Sequence, residues 1–202
     1  MLVLRSSPPS PFARKILIAA SILGLADRLD VVSVDTGDPN NSLRRENPLG
    51  KIPTLILEDG TVLYDSAVIL EYLDFLAGGG KLIPLDPARR FTVLVRQALA
   101  DGLAEASVLR IYETRFREPD RYSVKWLDHQ SGKVERALAA LETSPPAQDA
   151  TDVGAIATAC ALGYLDLRFS GLWRKDHPRL VRWLEAFSTR VPAFAETRVE
   201  PS

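Results

Sequence analysis

Ten residues, Ser6 to Lys15, stand between a short apolar run, Met1 to Leu4, and a long periodic one, Ile16 to Leu25, and they fix how this chain begins to fold. Ser10 stands where a helix N-cap belongs, and Pro11 takes the first helical position, where its missing N–H costs nothing. The order is strand, loop, helix. A helix start presents unpaired N–H groups and a partial positive charge, which stabilise an anion placed there. Ser10 therefore marks a candidate anion or thiolate site, although an isolated Ser-Pro pair usually does no more than cap a helix. Arg14 and Lys15 oppose the dipole of a first turn and need another reason to be there. For Lys15 the plain expectation is a solvated charge.

Leu29 to Val34 reads as a second strand, and two strands bracketing a helix make a βαβ unit. Thr36 to Leu49 is polar and rich in turn formers, which predicts a loop with one short helical turn. Ile52 to Glu58 and Thr61 to Tyr64 are β-branched runs on either side of Asp59-Gly60, a dipeptide suited to a tight hairpin. Asp65-Ser66 then caps a helix over Ala67 to Leu76, apolar on one face. The order describes a compact α/β domain over residues 1–76. Gly78-Gly79-Gly80, followed by Pro84, Asp86 and Pro87, predicts a linker over 77–87; without a lysine or a preceding strand it is no phosphate loop. Beyond it only helical periodicity appears, in Ala88 to Phe116, Ser123 to Leu141, Asp152 to Phe169 and Pro178 to Arg190, so 88–202 reads as all-helical.

Lysine and arginine total 25 against 26 acidic residues, so no global field favours nucleic acid or anionic lipid. No apolar segment approaches the ~20 residues of a membrane span, and the N-terminal run is too short for a secretory signal. The expectation is a soluble, cytoplasmic protein with neither nucleic-acid nor membrane partners. Cys160, the one cysteine, lies in an apolar run and reads as a buried, inert thiol. His129 and His177 have no ligand-spaced company, so neither a metal site nor a Ser/His pair is expected. Trp126, Trp173 and Trp183 read as packing residues rather than a stacking platform.

Four stretches resemble the cytosolic glutathione transferase family, and the likeness runs over essentially the whole chain. Ser10-Pro11-Phe12 with Arg14-Lys15 is similar to the first turn of bacterial members and of the omega class, in the subgroup with serine in the active-site turn. Asn47-Pro48-Leu49-Gly50-Lys51-Ile52-Pro53 resembles the segment ending in the family's cis-proline. Asp65-Ser66 is similar to the pair that holds the γ-glutamyl end of glutathione, and Asp152 to Leu165 resembles the buried helix of the second domain. The fold this implies is a thioredoxin-like α/β N-terminal domain followed by an all-α domain.

The resemblance implies glutathione as cosubstrate, with Ser10 at its sulfur and Ser6 and Ser7 as nearby competitors. Phe12, Lys51, Ile52, Pro53, Asp65 and Ser66 would line the tripeptide. A cis bond before Pro53 would turn the Ile52 backbone outward to pair with the cysteinyl residue like an added strand; without the resemblance, a trans bond is the ordinary state. The γ-glutamyl carboxylate would meet Ser66 and its ammonium Asp65, while Lys51 could meet the glycyl carboxylate. The family commonly pairs as homodimers, and Asp101 is the acid a partner copy could add; a solvated helix charge is its plain alternative. Tyr112 and Phe116, one turn apart, are the candidates for a cleft holding a small apolar electrophile, against core packing. Asp152 can cap its helix, but Ala155 stands where the family usually has aspartate, so only half a capping box remains. Two other functions stay open: a glutathione-dependent thiol/disulfide reductase, although Ser10 cannot form a mixed disulfide, and a non-catalytic binding or interaction module.

Overall fold

The computed structural model describes residues 1–200 of the chain. Strand β1 (Leu2–Ser6) runs into helix α1 (Pro11–Ile22), which returns to β2 (Leu29–Ser33). A short α2 (Leu43–Glu46) leads to β3 (Thr54–Ile56), β4 (Val62–Leu63) and α3 (Ser66–Leu76). The sheet has the order β2-β1-β3-β4, with β1 parallel to β2 and antiparallel to β3. Both hairpin strands are shorter than their apolar runs. The ladder starts after Pro53, which has no N–H to donate, and ends where Leu57 N–H bonds the Thr61 carbonyl oxygen at 2.8 Å across the Asp59-Gly60 turn, with Gly60 at φ +86°.

The remainder is helical: α4 (Pro87–Phe116), α5 (Val124–Thr143), α6 (Val153–Phe169), α7 (Pro178–Arg190) and α8 (Pro192–Glu196). Helix α6 is the centre of this part, with Val153 to Leu162 buried without a break. Its half capping box suffices: the Asp152 carboxylate accepts from Ala155 N–H at 2.9 Å. Gly154 lets α4 approach, since a Cβ there would stand 2.9 Å from the Val93 carbonyl oxygen. The glycine-rich segment after α3 is held by the buried Asp74 carboxylate, which accepts from the N–H groups of Gly80, Lys81 and Leu82. Helix α8 carries no signal in the sequence beyond Pro192, because five residues are too few to show a period.

Helix α1 lies between the sheet and the helical part, with Ile16, Ile18 and Ala19 fully buried. Against expectation, Lys15 is not solvated. It is 1 % exposed, and its Nζ lies 2.5 Å from Asp101 Oδ1 on α4. Asp101 is likewise no free surface charge; it is the counter-ion that makes this burial tolerable. Burial holds its carboxyl above the ordinary carboxylate range, in spite of Lys15, and the neighbouring Asp65 charge pushes the same way. Trp173 and Trp183 are core residues, whereas Trp126 is 40 % exposed and stacks on His129, which corrects its reading as a packing residue. Cys160 is 1 % exposed.

Removing one partner of a buried ion pair strands the other charge. Asp101→Asn should cost about 3 kcal/mol in urea unfolding, and adding Lys15→Met to it should recover most of that loss. A double variant as unstable as the sum of the two single ones would show that the pair does not act as a unit.

Candidate functional site

The sheet register gathers the candidate residues at one end. Arg5 stands opposite Thr54 and Leu55 opposite Leu63, so the end of β1, the residues ahead of β3 and those after β4 share an edge. The turn from Ser6 to Ser10, the Ile52–Pro53 step and the Asp65-Ser66 pair all lie there. Ser10 is the N-cap of α1, with its Oγ 3.2 Å from Ala13 N–H. The turn is closed by Ser10 N–H donating to the Ser7 carbonyl oxygen at 2.9 Å. Ser6, 4 % exposed at the end of the paired strand, is shut away, whereas Ser7 and Ser10 are half-buried. Phe12, next in the turn, is also half-buried, and the Lys15 ammonium lies 5.3 Å from its ring centroid.

The Ile52–Pro53 peptide bond is cis. Its surroundings are organised by Asn47, which the sequence presents as a turn former at the head of the Asn47–Pro53 segment, with no role of its own. Asn47 is 1 % exposed; its Nδ2 donates to the Lys51 carbonyl oxygen and to Thr54 Oγ1, both at 3.0 Å, and its Oδ1 accepts from Leu49 N–H. Only its burial, invisible in a single sequence, separates it from the other loop asparagines. The Lys51 side chain is exposed, Ile52 half-buried and Pro53 buried. Asp65 caps α3 with its carboxylate 2.9 Å from Ala67 N–H, and the residue is exposed; Ser66, the first residue of the helix, is 4 % exposed. Asp101 is tied to Lys15 of its own chain, and the Asp65 charge acts on its carboxyl.

A cavity of about 360 Å³ opens beside Ser10, between α1, α6, α7 and the segment after α8. Its walls include Pro8, Pro9, Arg14, Tyr164, Leu167 and Phe194. Tyr112 and Phe116 do not line it. They form an edge-to-face pair, ring centroids 5.1 Å apart, on the outside of α4, and are 39 % and 65 % exposed, so they are not core either. Cys160 reaches the cavity wall, but burial pushes its thiol up to about 12, so it stays protonated and unreactive at neutral pH. Among the described residues no cluster of His, Cys, Asp and Glu is placed to hold a metal ion, and no helix is long and apolar enough to cross a membrane.

Comparison with known proteins places this geometry. Residues 9–75 match the glutathione S-transferase N-terminal domain, and 124–186 the C-terminal domain. The uncharacterized GST-like protein YibF of Escherichia coli K12 is 32% identical over 93% of this chain and 94% of its own. A glutathione transferase family member from Pseudomonas fluorescens Pf-5 is 43% identical, with both chains covered in full; its crystal structure with bound glutathione aligns with a TM-score of 0.94. A second crystal structure of that protein, with S-(propanoic acid)-glutathione, aligns at 0.88 over the same full coverage. With both domains matched in order and relatives similar from end to end, the chain belongs to the glutathione S-transferase family.

Proposed function

We propose that the protein binds glutathione across the end of its sheet and conjugates the glutathione sulfur to a small apolar electrophile. The observation that carries this reading is the glutathione held by the Pseudomonas fluorescens relative, whose chain matches this one from end to end. In the proposed site the Ile52 backbone pairs with the cysteinyl residue beside Pro53 and Phe12. Ser66 meets the γ-glutamyl carboxylate, Asp65 its ammonium, and the exposed Lys51 the glycyl carboxylate. Asp101, read in the sequence as the acid that a partner copy could add at the ammonium, has its charge balanced by Lys15 of its own chain, so the ammonium is left to Asp65.

A free thiol titrates near ~8.5, so little of it is thiolate at neutral pH. Ser10 donates its hydroxyl to the sulfur and, at the start of α1, the helix dipole acts in the same direction. The thiol proton passes to water. The sulfur lone pair then forms the S–C bond, and the displaced group leaves with the electrons of the bond that breaks. The acceptor approaches from the cavity beside Ser10, whose apolar walls include Pro9, Tyr164, Leu167 and Phe194; Tyr112 and Phe116 are not among its lining residues.

A homodimer is part of the proposal. Val68 and Phe75 on α3, and Phe91 and Val95 on α4, are all exposed, an apolar surface that pairing would cover. Light scattering should give twice the chain mass; a monomer at working concentration would remove the dimer from the proposal.

The enzyme reading is tested with Ser10→Ala. Conjugation of a generic aryl electrophile should slow roughly ten- to a hundredfold, as for the loss of one charge-assisted hydrogen bond, while glutathione affinity stays near the wild-type value. Reduction of a glutathione mixed disulfide without conjugation would favour the reductase instead, and absence of both activities a binding module.

A further inference from the structure

The cavity beside Ser10 carries more positive than negative charge, and one buried side chain is the cause. Its wall bears three cations, Arg14, Arg174 and Arg198, against two acids, Asp166 and Glu185. Asp166 is engaged by Arg174, whose Nε and Nη2 donate to it at 2.9 and 2.6 Å, and by Trp173 Nε1. Asp166 foremost, and Glu185 after it, raise the Arg174 pKa, so both acids act on that one cation. Arg198 is exposed and shares its charge with Glu200 at 3.3 Å, a contact that water screens. Arg14 alone is buried and unopposed, with no carboxylate of the described residues at ion-pair distance.

Arg14 is 9 % exposed. Its Nε donates to Thr197 Oγ1 at 3.1 Å and its Nη2 to the Phe194 carbonyl oxygen, while the guanidinium carbon lies 4.1 Å from the centroid of the Phe194 ring. These partners are all neutral. The remaining nitrogen, Nη1, lies against Gly163, where a Cβ would stand 2.5 Å from it, and Gly163 is itself part of the cavity wall. Among the described residues Nη1 has no acceptor, yet it is not sealed in, since the sealed side-chain atoms without a partner belong to Gln97 and Gln130. It therefore borders open space, and the cavity is the space that Arg14 and Gly163 share. Burial, with the Arg198 charge adding to it, pulls the Arg14 pKa below the ordinary value, but a guanidinium remains charged at neutral pH.

A buried cation with a free donor and no counter-ion favours an anion placed beside it. We propose that the acceptor held in this cavity carries a carboxylate, bound by Arg14, on the same molecule whose carbon the glutathione sulfur attacks. One net positive charge on the wall suits a monoanion, and the hydroxyls of Ser188 and Thr189 on the same wall offer further donors. The volume of about 360 Å³ is that of a small-molecule site. The inference rests on the conjugation reading and names the substrate class of that same site: the apolar walls take the body of the acceptor, and Arg14 takes its charge.

The test compares para-chloro-meta-nitrobenzoate with its neutral carboxamide. In both, the S–C bond forms at the ring carbon, chloride leaves with the electron pair of the C–Cl bond, and the thiol proton passes to water. After division by the uncatalysed rates, the wild-type protein should favour the benzoate. The ratio of kcat/KM for benzoate over carboxamide should fall roughly ten- to a hundredfold in Arg14→Gln, as for one lost charge-assisted hydrogen bond. Thr197→Asp sets a carboxylate against the intact arginine and should lower the ratio too, whereas Thr197→Asn should not. The Thr197 pair decides the matter even where Arg14→Gln does not fold. A wild type without preference for the benzoate, or a ratio unmoved in folded Arg14→Gln or in Thr197→Asp, overturns the inference and leaves conjugation standing. A raised glutathione KM with an unmoved ratio overturns it as well, by giving Arg14 to a carboxylate of glutathione itself. Failure of the wild-type protein to conjugate either compound overturns both readings.

Discussion

Helix α1 is enclosed on both sides, and the rest of the molecule is arranged around that enclosure. Its apolar stripe, Ile16, Ile18 and Ala19, packs into the core, while its first turn sends two cations into the interior. Each cation is tied to a different part of the helical domain: Lys15 to α4 through Asp101, Arg14 to the segment around α8 through Phe194 and Thr197. Such groups are tolerated inside a protein only when their polar atoms are satisfied. The first turn is therefore pinned in place, and with it Ser10, whose position depends on where α1 begins.

The two cations differ in what they leave over. Lys15 and Asp101 cancel one another, and the pair serves to join the layers. Arg14 satisfies its hydrogen bonds with a carbonyl and a hydroxyl, which orient it without neutralising it. The start of α1 thus combines the unpaired N–H groups of a helix end with a cation one turn further in.

Much of this was legible in the sequence because it rests on local rules. Ser10 before Pro11, Asp65 before Ser66 and Asp152 before Val153 announce three helix starts, and all three cap as expected. The helical periods of α4 to α7 are long enough to read directly. What escaped depends on tertiary contact. Nothing near Lys15 or Arg14 in the chain shows that Asp101, Thr197 or the ring of Phe194 will face them, and the partners stand 86 to 183 residues away. Asn47 looks like any loop asparagine until Lys51 and Thr54 close around it. The aromatic spacing of Tyr112 and Phe116 correctly describes a pair one turn apart, but spacing alone does not say which way a helix face points; the cavity beside Ser10 is walled by Tyr164 and Phe194 instead.

A crystal structure of this protein with glutathione tests the central claim most directly. The expected result places the sulfur within hydrogen-bond distance of Ser10 Oγ, the cysteinyl backbone against Ile52 and the γ-glutamyl ammonium at Asp65. A sulfur resting against Ser7, or a tripeptide bound away from the shared edge of Ser10, Ile52 and Asp65, would contradict it.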